Sequence, residues 1–413
     1  MTTVYRALYS IAPTSGNTIT QYAPIALAYA TFTATEASTQ RKWPRASTFK
    51  NLLVYISSNA AANSTVINLR NGGSSSALTI SISASATGWF EDASNSASVA
   101  LNDLINFEIL RTDSGSVTIK RIDVNELSSD VSIVMGAWVN SAQGLATASA
   151  TRYISSSGFA ATINATETTN GIRSWIARAA TASKMRINIT ANPRSTTTTF
   201  TSRVNGANGN QTLSISTSAT GWFEDASNSD SLAAGDTYNY KIVTGTGSGT
   251  ISFFPPICVL TDASSTLNIL ANSSGNLNTN QTRFVSLGSG VLESTEANAE
   301  IKMRGTGTIS KVNIDVAVAS SNQDATYTVR KNGADTAITF TVTAGVTGQY
   351  GDNTNSFTYA DGDLICLKAV RAAGGTGIFT VEKMYWALAP DSETLSGSTG
   401  SPYYYYHYMR EST

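Results

Sequence analysis

The chain has 413 residues, a formal net charge of −1 and 13% charged residues, against roughly 25% in an ordinary soluble domain. Near-neutrality removes the electrostatic case for nucleic acid or an anionic membrane as a partner. Two cysteines at unrelated positions and one histidine, His407 near the C-terminus, argue against a disulfide framework, a zinc cluster and a histidine-based triad. Cys258 and Cys366 are expected as isolated buried thiols. The first residues show no basic segment followed by an apolar core, so export by a signal peptide is not expected.

Residues 85–96 and 218–229 both read SATGWFEDASNS, and residues 346–356 carry a looser copy, VTGQYGDNTNS. Repetition of this length marks three tandem copies of one unit. Their spacing, 133 and then 127 residues, is that of whole domains rather than solenoid coils. Other landmarks keep step. Asp92, Asp225 and Asp352 are each followed 11 residues later by Asp103, Asp236 and Asp363. Asn-Gly pairs at 71–72, 205–206 and 332–333 stand 21 residues after Lys50, Lys184 and Lys311. Thr-Glu pairs precede these at 35–36, 166–167 and 295–296.

Unit one, residues 1–128, begins with a tyrosine-bearing part (Tyr5, Tyr9, Tyr22, Tyr29), expected as extra strands or as an arm on a partner. Strands are predicted over 52–56, 66–70, 104–110 and 117–124, with the Asn-Gly pair as a hairpin. Ahead of the repeated stretch, Ile80 and Ile82, Leu213 and Ile215, and Phe340 and Val342 alternate with Ser and Thr, the pattern of a half-buried strand. Phe90, Phe223 and Tyr350 keep an aromatic in all three copies and are expected to face the core. Their neighbours Trp89, Trp222 and Gln349 then point the other way. This makes Trp89 and Trp222 candidate contact residues, or residues lying under a loop of their own domain.

Unit two, residues 129–263, shows about eight short strands with turn signals between them, the pattern of a two-sheet sandwich. Pro255-Pro256 predicts that its last strand is bulged or at an edge. In unit three, residues 264–390, Thr282-Arg283-Phe284 matches Thr151-Arg152-Tyr153 of unit two. Residues 391–413 form a Ser/Gly/Thr-rich linker and a tail holding Tyr403, Tyr404, Tyr405, Tyr406 and Tyr408, either disordered or docked as a contact element. The expected fold class is all-β: three tandem antiparallel β-sandwich, jelly-roll-like domains with a C-terminal tail.

The clearest polar clusters pair Asp92 with Asn95, Asp225 with Asn228, and Asp352 with Asn355. Closely spaced oxygens are calcium chemistry, but no Gly and Glu complete a helix-loop-helix calcium loop, and Asp and Asn also cap turns by accepting backbone hydrogen bonds. The turn reading is preferred, with Ca²⁺ kept as the weaker alternative. Asp103, Asp236 and Asp363 read as turn residues that open a strand. Gly-rich pieces such as residues 245–249 open no helix and so form no phosphate loop. A pair of carboxylates for glycoside hydrolysis is not singled out by any motif. The expectation is no enzyme activity and no cofactor.

These motifs together resemble the jelly-roll modules of tailed-bacteriophage structural proteins (capsid decoration, head-fibre and tail-spike types): a Thr-Arg-aromatic strand, a Thr-Glu pair, a lysine-led strand, an Asn-Gly hairpin, Thr-Gly-x-aromatic-x-Asp, and Gly-Asp opening a strand. They are also similar to the trimeric tumour-necrosis-factor and complement-type jelly rolls. The likeness covers about 350 residues of turn chemistry, and unit one departs from it at its start and at Asn102. The resemblance implies a virion component at the particle surface, assembled in the host cytoplasm. It implies contacts with the major capsid protein or other virion proteins, and a homo-oligomer, with a trimer among the expected forms. A decoration protein of the capsid is the leading expectation, with Trp89, Trp222, the N-terminal part and the tyrosine tail making protein contacts. The alternative is a tail fibre or spike that recognises a host-surface glycan.

Overall fold

The computed structural model describes residues 4–10, 14–15, 20–25, 32–43, 45–128, 132–136, 143–156, 163–168, 172–176, 179–261, 267–272, 276–287, 292–303, 305–390 and 403–406. Each unit is a sandwich of two antiparallel sheets. In unit one the long-stranded sheet runs Val4–Ser10, Val117–Ser128, Ser47–Asn59, Gly88–Val99, and the short-stranded sheet runs Thr20–Pro24, Leu104–Leu110, Thr65–Asn71, Ser74–Ile82. Numbered along the chain, these orders are 1-8-3-6 facing 2-7-4-5, the strand order of a jelly roll. Unit two repeats it with Ser132–Gly136, Ile251–Thr261, Ala180–Ala191, Gly221–Leu232 over Thr151–Ser155, Thr237–Val243, Thr198–Val204, Ala207–Ile215. Unit three does so with Leu267–Asn272, Phe379–Pro390, Gly307–Ala319, Gly348–Tyr359 over Gln281–Val285, Leu364–Arg371, Ala325–Lys331, Ala334–Val342.

The tyrosine-bearing start of the chain therefore supplies the first two strands of the first jelly roll. Val4–Ser10 pairs with the last strand of its unit, and Thr20–Pro24 pairs with Leu104–Leu110. Among the described residues helix is confined to the short pieces Glu36–Ser38 and Glu296–Ala299. Pro255 and Pro256 lie inside an interior strand, where the ladder to Ala180–Ala191 shifts register between Arg186 and Asn188. On its other side Ser132–Gly136 pairs with residues 257–261 and Gln143–Leu145 with residues 251–253. The bulge alternative holds, because two residues without an N–H fit where the ladder to Ala180–Ala191 skips a pair.

The hydrophobic alternation turns into burial as a period of two predicts. Leu78, Ile80 and Ile82, Leu213 and Ile215, and Ile338, Phe340 and Val342 are buried between their sheets. Each such side chain contributes on the order of 1.5–3 kcal/mol. Phe90, Phe223 and Tyr350 pack against this core. Trp386 is fully buried and donates its indole N–H to the Leu287 carbonyl at 2.7 Å.

One strand of each long-stranded sheet breaks the alternation. Leu52, Leu53 and Val54 are all buried, as are Met185, Arg186 and Ile187, and Val312, Asn313 and Ile314. In a strand the middle residue of each trio must point away from its own core. What covers it is a neighbouring unit. Lys120 of unit one pairs with Glu293 of unit three at 2.7 Å, and Arg121 donates to the Asn298 carbonyl. Arg186 of unit two donates to Asn102 of unit one at 3.3 Å. Asn313 and Tyr385 of unit three share a cavity wall with Ile176 and Gly235 of unit two. The long-stranded sheet of each unit thus meets the loop region of another, one on three, two on one, three on two. The contacts are head-to-tail and close after three steps.

Candidate functional site

The twelve-residue repeat encodes a bulge in the middle of a twelve-residue strand. In unit two, Ser229 pairs with Ser183 and Asp225 pairs with Met185, so residues 226–228 face Lys184 alone. Units one and three do the same, with Asn51 and Lys311 opposite the bulge. Asn51, Lys184 and Lys311 all have φ of 53–54°. The position aligned on Lys50 from sequence is therefore one residue early in unit one.

The acid of each repeat holds this bulge. Asp92 accepts from the backbone N–H of Ser94 and Asn95, from the Asn95 amide at 3.0 Å, and from the Thr79 N–H of the facing sheet at 3.0 Å. Asp225 does the same with Asn228 and the Thr212 N–H, and Asp352 with Thr354, Asn355 and the Thr339 N–H. Burial by itself would raise these carboxyl pKa values. The hydrogen bonds from Asn95 and Thr79, and from Asn228 and Thr212, outweigh it and hold Asp92 and Asp225 below the ordinary carboxylate range. Against the same burial, the Asn355 and Thr354 donors hold Asp352 at about 2. The lone pairs a cation would use already accept N–H groups, which is the turn-capping chemistry preferred from sequence.

That geometry sets an acid-stability test. A carboxyl whose folded pKa lies below its unfolded value of 3.8 stabilises the fold above about pH 4. This contribution is lost as pH falls through about 2. Asp352→Asn is expected to cost about 1–2 kcal/mol at pH 7 and to flatten the stability profile between those pH values. Denaturant titrations of both proteins across that range measure it; parallel acid limbs would refute the role given to Asp352.

The second aspartates and the Asn-Gly hairpins, far apart in sequence, meet in space. Asn71 donates to Asp103 at 2.9 Å, Asn205 to Asp236 at 2.7 Å, and Asn332 to Asp363 at 2.7 Å. Each aspartate also accepts the N–H three residues before it: Ala100, Ala233, Ala360. The hairpin turns themselves are Gly72-Gly73, Asn205-Gly206 and Asn332-Gly333, all with positive φ. In unit one the turn sits one residue beyond the Asn-Gly pair, because Asn71 already pairs with Ser74.

The Thr-Glu pairs supply half of an ion-pair clamp whose other half sequence reading missed. Glu36 takes a two-pronged grip from Arg70 at 2.9 and 3.1 Å, Glu167 from Arg203 at 3.0 and 2.7 Å, and Glu296 from Arg330 at 2.6 and 3.2 Å. Each guanidinium also donates to the carbonyl of the turn glycine, Gly73, Gly206 or Gly333. The available signal was an arginine three residues before that glycine in every copy.

Trp89, Trp222 and Gln349 stand on the outward face of the long-stranded sheets. Trp89 is half-buried and packs on Tyr55 with ring centroids 4.9 Å apart. Trp222 is half-buried and registers with Asn188; Gln349 is exposed and registers with Asp315. Tyr403–Tyr406 form a strand that pairs in parallel with Val4–Ser10, while Tyr408 and His407 lie outside the described residues. Cys258 and Cys366 are free and buried. Burial raises both thiols, Cys258 to about 12, which makes them poor nucleophiles.

No family model matches the chain, and no curated protein does. Among solved structures, the insecticidal delta-endotoxin Cry8Ea1 of Bacillus thuringiensis is similar at 9% identity and a TM-score of 0.18, over 61% of this chain and 60% of the toxin. The chain thus spans less than two thirds of that protein. A structure of the infectious bursal disease virus Gt strain is similar at 8% identity and a TM-score of 0.16, over 97% of this chain and 85% of that one. Likenesses at this level carry no argument about this protein, and its description as an all-β sandwich rests on its own strand order.

Proposed function

We propose that this chain is a virion structural protein that acts by protein–protein contact, a decoration module on the outside of a capsid, without enzyme activity. The observation that supports this reading is what the three units repeat. Aspartate-capped bulges, arginine–glutamate clamps and asparagine–aspartate turn locks all spend their polar atoms on holding backbone. A chain that copies its scaffold chemistry three times is suited to presenting surfaces. The partner in this reading is the major capsid protein or another virion protein. In this reading the chain acts as a homo-oligomer, with a trimer among its forms, and copies pack beside one another on the particle. Purified chain added to capsids lacking it is expected to bind stoichiometrically at lattice positions, as seen by cryo-electron microscopy. Density confined to the tail tip would point instead to a receptor-binding fibre, and no bound density would overturn the reading.

A further inference from the structure

The three junctions use equivalent positions, and one of them differs in kind. Where unit three meets unit two, Lys311, Asn313, Gln349, Asn353, Tyr385 and, from across the junction, Ile176 and Gly235 surround a cavity of about 160 Å³. The repeat register places Gln349 where Trp89 and Trp222 stand, which removes bulk. Across the junction Gly235 adds no side chain, as Gly362 adds none at the same place in unit three, where unit one has Asn102. The same register places Asn313 at the position of Leu53 and Arg186, and Asn353 at that of Ala93 and Ala226. Arg186 spans its own junction to Asn102 and pairs with Glu224 at 2.9 Å; Asn313 is too short to do so. The third junction has exchanged a bridge for a space walled by amides.

The wall is preorganised. Asn313 and Asn353 bond each other reciprocally at 3.0 and 3.2 Å, and Asn313 also donates to the Lys311 carbonyl at 2.7 Å. These bonds fix the amide planes and leave acceptor lone pairs and an Asn353 N–H unspent. Among the described residues the Gln349 amide and the Lys311 ammonium have no partner. Among the described lining residues Lys311 supplies the charge and the amides of Asn313, Gln349 and Asn353 supply most of the polar surface. Amides donate and accept at once, as hydroxyl groups do. Tyr385 and Ile176 add apolar surface of the kind that meets a C–H face. The volume equals about five waters at ~30 Å³ each, below the ~300 Å³ lower range of drug-sized sites.

We propose that the junction between units two and three binds one sugar residue, the end of a surface glycan, with Asn313, Gln349 and Asn353 on its hydroxyls. This goes beyond the structural role and is separable from it: a chain that decorates capsids and takes no sugar retains the first reading and loses this one. Saturation-transfer NMR on the full chain with millimolar galactose, N-acetylglucosamine and glucuronate tests it. Transfer to at least one of the three is expected. It should fall at least tenfold in Gln349→Trp, which restores the residue of the other junctions, and in Asn353→Ala, with melting temperatures recorded for both. Should Gln349→Trp misfold, Asn353→Ala alone carries the comparison. Absence of transfer to all three sugars, or transfer that survives in a folded variant, overturns the proposal.

Discussion

Glu126→Ala is expected to destabilise unit one by about 3–5 kcal/mol, the usual cost of stripping one partner from a buried ion pair. Glu126 is fully buried in the last strand of its unit, and Arg45 is 7% exposed. The guanidinium holds both carboxylate oxygens, at 2.6 and 2.7 Å. The Trp43 indole N–H donates to the same carboxylate at 3.1 Å, and the Ser47 hydroxyl donates as well. Removing the carboxylate takes the two-pronged acceptor from the Arg45 guanidinium and the acceptor from the Ser47 hydroxyl, and leaves the Trp43 indole N–H with the Ser47 hydroxyl at 3.3 Å. Glu126→Gln keeps an acceptor but loses the charge, so about half the loss is expected. Hydrogen exchange of the strands of unit one, alongside denaturant unfolding, reads the effect where it arises. A loss under about 1 kcal/mol for Glu126→Ala would show that Arg45 reaches water, and would remove the pair from the account of stability.

The second large effect is in unit two, where a polar network stands in place of an apolar one. Gln211, Asp230 and Tyr238 occupy the positions of Leu78, Ala97 and Ile105 in unit one and of Ile338, Phe357 and Ile365 in unit three. All three polar residues are buried. The Gln211 amide donates to Asp230 at 3.0 Å and to the Tyr238 hydroxyl at 2.9 Å, and its oxygen accepts the Met185 N–H at 2.9 Å. Asp230 also accepts the Asn210 N–H at 2.5 Å. Burial first, then the nearby Cys258 and Asp230, pushes the Tyr238 hydroxyl well above its ordinary pKa, so it stays a phenol.

A network of this kind costs little when complete and a great deal when broken. Gln211→Leu alone is expected to cost about 2–4 kcal/mol, because Asp230 loses a donor and the Met185 N–H its acceptor. The triple change Gln211→Leu, Asp230→Ala, Tyr238→Ile installs the set found in unit one. It is expected to recover part of that loss, since the three side-chain partners go together, while the Met185 and Asn210 N–H groups still lose their acceptors. Protection of the unit-two amides in the single and triple variants decides it. A triple variant no better than the single one would mean that the apolar set fits only the backbone of its own unit.

Some of these arrangements could be read in advance and some could not, for a reason of distance. Period-two alternation at Ile80 and Ile82, and its copies, reports on the strand that carries it, so strands and the tandem organisation were legible. The Asn-Gly pair marked the right hairpin but placed the turn of unit one a residue early, because cross-strand pairing of Asn71 with Ser74 chose Gly72-Gly73. The arginine–glutamate clamps join residues 34–36 apart, beyond any local pattern. The Asp–Asn clusters announced capping, but not that the capped feature was a bulge inside a strand.

The repeated stretch, with its alternating apolar positions and turn residues, was enough by itself to determine three copies of one β-sandwich, since those signals act between near neighbours. Only the folded arrangement decided which outward residues are covered. Leu53, Arg186 and Asn313 are equivalent strand positions, yet Arg186 reaches unit one and Asn313 shares a cavity wall with unit two, and what lies opposite depends on chain segments far removed in sequence. The physical reason is that secondary structure is selected by short-range sterics and burial, whereas the cavity beside Gln349 exists only because two separately folded surfaces meet with too little bulk between them.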